Sequence, residues 1–309
     1  MFFDTSLFSA NDRVLAAVSG GVDSVVLLHL LAELKKTLGF TLAVAHLNHQ
    51  IRTGTAERDA DFVETLAAKY QLPFYLGIKN IPQLVEQSGL SLEDAARQAR
   101  YDFFFQEAKA HNHNVLALAH HLDDQTETIL FRLLRGAAAK GLSGIAAERT
   151  EQNVRIVRPL LSTTKQAILQ YAAAHKLTFY EDETNQDNIY TRNKLRNEIL
   201  PLLKEINPSY QEGLQRTAEI LRDDDVYLEK AAQQVYIEVV LLDEPLRIKL
   251  DAVALQNYPR ALARRVVRQA IEKLCGALND VSLLFIENFL DNQLAVLTLD
   301  KHGKLLVSK

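Results

Sequence analysis

The chain has almost no cysteine. Cys275 stands alone in 309 residues, which excludes an intrachain disulfide and any chemistry that needs two thiols, such as a persulfide relay or a C-x-x-C cluster. It has no uninterrupted apolar run long enough to span a bilayer. Residues 1–12 lack the basic start of a secretory signal. A reducing, cytoplasmic location with no membrane partner is the expectation. Positive charge is not in excess either: 35 Lys and Arg stand against 39 Asp and Glu, a net charge of -4. A nucleic-acid partner is therefore not announced globally and has to be held by local basic patches. Internal repeats and low-complexity tracts are also missing.

What is present is an ordinary soluble composition, 48% hydrophobic and 24% charged, in a chain long enough for two domains. Over the first two-thirds, short apolar runs alternate with longer amphipathic ones. Residues 14–18, 41–46, 74–78 and 115–119 read as strands, and residues 24–36, 55–70, 91–111 and 123–134 as helices. This order predicts an α/β fold, a mostly parallel sheet with helices on both faces. Ligands of such sheets bind at the carboxyl ends of strands, near a switch in strand order. Residues 165–175 and 194–204 read as further helices and residues 178–180 as a short strand. Beyond Asn207-Pro208 the character changes. A long helical pattern covers residues 210–240 and contains the acidic run Asp223-Asp224-Asp225. Helices follow at 259–274 and 282–290, and residues 294–300 and 304–308 form a hairpin pattern. The boundary is expected near Pro208, between a catalytic domain, 1–207, and a smaller, mostly helical domain, 208–309.

Ser19-Gly20-Gly21-Val22-Asp23-Ser24 is the most informative stretch. It joins a predicted strand to a predicted helix, where backbone N–H groups and a helix N-terminus can hold phosphate. Two glycines permit left-handed dihedrals and close approach of a ligand. No lysine follows them, so the Walker pattern is absent. A well-capped strand–helix turn would look similar. His46-Leu47-Asn48-His49-Gln50-Ile51-Arg52 follows the second strand, as a nucleotide-contacting loop or simply a polar strand end. His120-His121-Leu122-Asp123-Asp124-Gln125-Thr126-Glu127 follows the fourth. Helix capping explains the two aspartates, but not two histidines and a glutamate in the same turn. Two carboxylates there can hold magnesium or orient an amine nucleophile; a His-rich zinc site is the alternative, against which the Asp/Glu bias favours a hard cation. Arg192 and Arg196, four apart, can project together toward phosphates. Arg260, Arg264 and Arg268 repeat at four-residue spacing with Arg265 alongside, which is either a solvated helix face or a backbone-contacting stripe for RNA.

Taken in order, these motifs, with Leu92-Glu93-Asp94-Ala95-Ala96-Arg97, Arg135-Gly136, Gly141-Leu142 and Arg158-Pro159-Leu160-Leu161, resemble the tRNA(Ile)-lysidine synthase family of N-type ATP pyrophosphatases. The resemblance covers roughly residues 10–205, with a weaker echo at Pro259-Arg260. It implies a PP-loop, Rossmann-like domain, adenine nucleotide alpha hydrolase-like, followed by a helical tRNA-binding domain. It implies ATP and Mg2+ as cofactors, with tRNA(Ile) bearing a CAU anticodon and free L-lysine as partners. The wobble cytidine is adenylated at its C2 oxygen, and lysine then displaces AMP to give lysidine, changing the tRNA from methionine to isoleucine identity. Carried over residue by residue, Ser19, Gly20, Gly21, Val22, Asp23, Ser24 and His46 bind nucleotide, and Asp23 and Asp124 bind metal. Asp124 and Glu127 hold lysine or metal, and His120 assists proton removal. Arg192 joins the catalytic group, while Arg196, Arg260, Arg264, Arg265 and Arg268 meet tRNA.

Two departures stand out. Ala137 and Ala138 follow Arg135-Gly136 where Ser-Gly is commoner. The further C-terminal domain of many members is not found before Lys309, so tRNA recognition is expected to rest on the arginine helix. A homodimer through the C-terminal helices is a further expectation. Competing readings are a tRNA thiolase, disfavoured by the single cysteine, an NAD synthetase-like small-molecule ligase, and a non-catalytic nucleotide or RNA binder.

Overall fold

The computed structural model describes residues 1–50, 55–180, 194–276, 281–299 and 305–308. The chain divides into two compact units, Met1–Ala218 and Glu219–Lys309. No helix among the described residues is long and apolar enough to cross a membrane.

The first unit is built on β1 (Arg13–Ala17), α1 (Val22–Leu38), β2 (Thr41–Asn48), α2 (Thr55–Lys69), β3 (Phe74–Ile78), α3 (Ile81–Ser88), α4 (Leu92–Ala110) and β4 (Val115–Ala117). It continues with α5 (Leu122–Leu134), α6 (Ala139–Leu142), the hairpin β5 (Glu148–Glu151) and β6 (Val154–Val157), and α7 (Lys165–Ala174). A π-helical turn, Leu195–Ile199, leads into α8 (Leu200–Ile206). The sheet order is β3-β2-β1-β4-β6-β5, parallel except for β5. Alternation along β1 explains the layering. Val14 and Ala16 point into a core with Val25, Leu28, Val63 and Ile168, from α1, α2 and α7. Leu15 points the other way, into a core with Ile81, Ala95, Ala99 and Phe103 of α3 and α4. Successive strand side chains face opposite sides of a sheet, so a strand covered on both faces reads as a continuous apolar run.

β1 pairs with β2 on one side and β4 on the other. Strand order therefore reverses at β1, and the loops leaving β1 and β4 diverge around one crevice. That topology brings residues 19–24 and 120–127 together.

The structure departs from the sequence expectation in places. Residues 178–180 form no strand; Tyr180 instead donates its N–H to the Gly20 carbonyl at 3.0 Å. The β5–β6 hairpin was not expected, because Glu-Arg-Thr-Glu shows no apolar alternation. Its turn residues Gln152 and Asn153 both have positive φ, 49° and 63°, as a tight two-residue hairpin requires.

In the second unit, helix α9 (Tyr210–Val239), which begins in the first, runs unbroken past Asp223-Asp224-Asp225. It is followed by β7 (Val240–Glu244), β8 (Arg247–Leu250), α10 (Ala252–Gln256), α11 (Arg260–Cys275), α12 (Leu283–Asp291), β9 (Val296–Leu299) and β10 (Leu305–Ser308). β9 and β10 pair antiparallel, and the four strands form one sheet in the order β10-β9-β8-β7. Val266, Val267, Ala270 and Ile271 of α11, at helical spacing, bury against Ile286 and Phe289 of α12 and Ile248 and Leu297 of the sheet.

Candidate active site

The glycine loop leaves β1 tied to β2 by hydrogen bonds. Val18 donates its N–H to the Ala45 carbonyl at 2.9 Å, and its own carbonyl meets His46 Nδ1 at 2.8 Å. A carbonyl only accepts, so Nδ1 carries the proton and Nε2 remains an acceptor. Burial, opposed by that same hydrogen bond, holds His46 below its ordinary pKa. Gly20 then turns at φ 94°, a conformation an L side chain rarely adopts. Ser24, buried in the first turn of α1, locks the loop: its Oγ accepts from Ser19 N–H at 3.1 Å and donates to the Gly21 carbonyl at 2.9 Å. Gly21 caps α1 without a side-chain cap, which leaves the first-turn N–H groups able to receive an anion.

The turn after β4 supplies the acids. Asp124 Oδ2 accepts the His121 N–H at 3.0 Å, so the capping role expected for it is real. The same oxygen lies 3.5 Å from His121 Nε2, while Asp23 Oδ2 lies 3.7 Å from that nitrogen and Asp123 Oδ2 3.4 Å from Nδ1. His121 is thus a buried imidazole ringed by three carboxylates from the first turns of two helices, α1 and α5. Burial pulls its pKa down, but Asp123, Asp124 and Asp23 outweigh burial and hold it above its ordinary value. In return, burial raises Asp123 but the His121 ring and the Lys165 N–H draw it down to about 2.

Lys165, the first residue of α7, closes this group. Its N–H reaches Asp123 Oδ2 at 2.8 Å and its ammonium lies 2.7 Å from both oxygens of Asp23. Glu127 is buried one turn further along α5 and is gripped by Arg196, Nε to Oε1 at 2.6 Å and Nη2 to Oε2 at 3.0 Å. Arg196 Nη2 also lies 3.8 Å from Asp124 Oδ1. Burial still leaves the Glu127 carboxyl above its ordinary value, although Arg196 opposes it.

His120 has other company. Burial, reinforced by the charges of Arg158, Arg97 and Arg100, pushes its pKa down to about 3. An imidazole of that pKa is neutral at physiological pH but a poor proton acceptor. The role expected of His120 in proton removal therefore meets a physical obstacle, and His121, which sequence reasoning left without a role, is the imidazole among the acids.

Arg192 lies outside the described residues. The arginine stripe of α11 is not an open cationic face. Arg260 and Arg264 both bond Glu287 of α12, and Arg260 also bonds Asp291 at 2.6 Å. Arg265 pairs with Asp225 at 2.7 Å and Glu229 at 2.6 Å on α9. Among the described residues no carboxylate pairs with Arg268.

A hard cation fits the donor set. Asp23 and Asp124 approach one point beside His121, yet no group of three or more His, Cys, Asp or Glu among the described residues could cage a metal by itself. Magnesium needs no such cage; it takes one or two carboxylates and completes its shell with water and substrate phosphates.

The PP-loop domain family matches residues 2–203. Curated tRNA(Ile)-lysidine synthases are similar over most of the chain. That of Geobacter sulfurreducens is 41% identical over 276 residues, 89% of this chain and 58% of that protein. That of Clostridioides difficile is 37% identical over 286 residues, 92% of this chain and 61% of its own. The chain thus spans less than two thirds of the length of these two relatives. The Nostoc protein is 36% identical over 281 residues, 87% of this chain and 80% of its own. Among solved structures, the U34-tRNA thiolase NcsA of Methanococcus maripaludis shares the fold, with TM-score 0.59, 19% identity, and coverage of 70% of this chain and 74% of that one. By the match over residues 2–203 and by its likeness to the Nostoc protein, the chain belongs to the PP-loop domain family and, within it, to the tRNA(Ile)-lysidine synthases.

Proposed function

We propose that this chain joins L-lysine to C2 of the wobble cytidine of tRNA(Ile) with a CAU anticodon, consuming ATP and giving lysidine, AMP and diphosphate. The observation that carries the proposal is the meeting, at the β1/β4 switch point, of the glycine loop and α1 N-terminus with the acidic group around His121. One half suits a triphosphate, the other an amine. The lysidine synthase relatives support the same reading.

The chemistry runs in two steps. The C2 oxygen of the cytidine attacks the α-phosphorus, and the bond to the bridging oxygen breaks to release diphosphate. The lysine amine then attacks C2, AMP leaves with the oxygen, and the amine loses a proton. N–H groups at Ser19–Ser24 and the α1 N-terminus receive the phosphates, where fixed donors stabilise developing charge without reorganising. His46 Nε2 is an acceptor for a nucleotide donor. Magnesium, held by Asp23 and Asp124, would spread the charge of the leaving diphosphate. Asp124 orients the lysine side-chain nitrogen, whose ammonium gives one proton to water and attacks as the neutral amine, and Glu127 acts through Arg196, which it fixes beside Asp124. The displaced proton goes to the Asp124 carboxylate, and the His121 imidazolium beside it balances the acidic group, with His120 as a neutral contact. Arg192 and Arg196 remain proposed contacts to AMP phosphate or tRNA.

Radiolabelled lysine, ATP and magnesium with a tRNA(Ile) CAU transcript test the reading, with a methionine tRNA of the same anticodon in parallel. Label entering only the isoleucine tRNA, with AMP released, is the expected result. AMP release without tRNA would point to a small-molecule ligase and sink the proposal.

A further inference from the structure

Two adjacent glycines give the loop a weakness as well as a use. The peptide between Gly20 and Gly21 has no Cβ on either side, so the chain itself does little to set which way it faces. The carbonyl and the N–H of a trans peptide point in opposite directions. One orientation offers an anion the Gly21 N–H. The flipped one offers it the Gly20 carbonyl, whose oxygen repels negative charge. An anion site here therefore needs that peptide held. Ser24 does not hold it, because its hydroxyl bonds the N–H of Ser19 and the carbonyl of Gly21.

The hold comes from outside the loop. Tyr180 donates its N–H to the Gly20 carbonyl at 3.0 Å. The Gly21 N–H accordingly faces the other way, toward the Ser19 hydroxyl at 3.4 Å. That contact is longer than an ordinary N–H···O bond, so a phosphate oxygen can take its place. Tyr180 is fixed in turn by its ring. The Arg58 guanidinium carbon lies 4.3 Å from the ring centroid, and the Phe62 ring packs at 4.7 Å with its plane tilted by 58°. Arg58 and Phe62 are four apart on α2 and so share one helix face. The same helix backs the glycine: Phe62 Cδ1 and Val63 Cγ2 lie 3.5 and 3.6 Å from where a Cβ on Gly20 would stand.

We infer that Tyr180 is a positioning residue of the glycine loop: clamped by Arg58 and Phe62, it holds the Gly20 carbonyl away from the anion and so turns the Gly21 N–H toward the phosphates of ATP. Its own N–H is taken by Gly20, so it acts through the loop and not by touching phosphate. Arg58 acts one step further out, as the cation that keeps the Tyr180 ring in place. This rests on the reading of the site as ATP-consuming, and adds to it the contact that sets the direction of the loop's donor.

The test is the affinity of the full chain for labelled ATP and for labelled adenosine, which has no phosphate, by equilibrium dialysis, with thermal melts beside it. The variants are Tyr180→Ala, Tyr180→Phe and Arg58→Met. Losing one well-aimed N–H to a phosphate should weaken ATP binding by about 10-fold in Tyr180→Ala. Adenosine binding should change by less than about twofold, and Tyr180→Phe, which keeps the ring on its two partners, should recover the ATP affinity. Arg58→Met should weaken ATP by about 2- to 5-fold, as the loss of an exposed cation–π contact implies. Its side chain is 49% exposed, so it carries the comparison if Tyr180→Ala does not fold. Equal weakening of ATP and adenosine would make Tyr180 a wall of the whole nucleotide site and overturn the inference. A lower melting temperature with unchanged ATP affinity would make it a structural prop and overturn it too. An unsubstituted protein that binds no ATP overturns the ATP-consuming reading itself, which is visible before any substitution is made.

Discussion

Arg196 grips both oxygens of Glu127, at 2.6 and 3.0 Å, across 69 residues of sequence. The carboxylate is buried, whereas the arginine is 38% exposed. Replacing Arg196 by methionine removes the partner and leaves a carboxylate in an apolar setting. The full penalty for orphaning a buried charge is about 3–5 kcal/mol, and the partial exposure of Arg196 discounts it to about 1–3 kcal/mol at neutral pH. The sign with pH follows. Glu127 already has a folded pKa above its unfolded value, and the substitution drives it higher. The folded state then holds a proton that the unfolded state releases, so R196M loses stability as pH rises above about 4.5, the ordinary glutamate value. Denaturant unfolding of both proteins at acid and neutral pH checks this: the gap should be small at the low end and largest at the high end.

His121 makes the opposite kind of statement. Its folded pKa is raised above 6.5, so its contribution to stability is fully present below 6.5 and is lost as pH rises through the folded value. His121→Asn should flatten that alkaline loss and shift the alkaline limb of the activity profile, because the imidazolium that balances Asp23, Asp123 and Asp124 is gone. A ring titration by NMR that placed His121 below 6.5 would refute the assignment.

Much of this site could be read before the fold was known, and the reason is contiguity. Ser19–Ser24 and His120–Glu127 each form one contiguous stretch at a strand end, and periodicity alone locates strand ends. His121 could have been separated from His120, since only the residue at the helix start meets the first-turn acids. Lys165 was not legible: its partner lies 142 residues away, and only the packing of α7 on α1 joins them. The arginine stripe was misleading in one respect, because its neutralising acids sit on other helices. A signal existed, for Glu287 and Asp291, and Asp225 and Glu229, are acid pairs at the same four-residue spacing. The β7–β8 hairpin was hidden because Val239-Val240-Leu241-Leu242 continues a helical apolar pattern without a break.

Gly144 is a second place where backbone freedom is required. Its φ is 68°, and a Cβ there would lie 2.5 Å from Gln125 Oε1. Gln125 cannot simply swing aside, since its amide bonds both the N–H and the carbonyl of Ile145. Gly144→Ala should therefore cost about 1–3 kcal/mol, from positive-φ strain and the loss of those bonds. Alanine at Gly136, where φ is 73° but nothing lies within 4 Å, should cost less, the backbone strain alone. Urea midpoints of the two variants rank them, and equal costs would refute the role given to Gln125.

The acid partners on α9 and α12 divide the four arginines of α11 into two kinds. Arg260, Arg264 and Arg265 hold helices together; their charges are met within the second unit by Glu287, Asp291, Asp225 and Glu229. An arginine already paired offers RNA little net charge, because a phosphate must displace a carboxylate to reach it. Arg268 has no such partner among the described residues and is half-buried, so its guanidinium is the member of the stripe best able to neutralise a phosphate. Arg268→Ala should weaken tRNA binding and lower the slope of log affinity against log salt by about one, without changing the melting temperature. Glu287→Gln should do the reverse: it loosens the α11–α12 contact, lowers stability, and, by releasing Arg264 while Arg260 keeps Asp291, strengthens tRNA binding at low salt. Filter binding across a salt series, read beside thermal melts, separates the two. If Arg264→Ala lowered the salt slope as much as Arg268→Ala, the carboxylates would not be neutralising the stripe, and the whole arginine face would have to be counted as the tRNA contact.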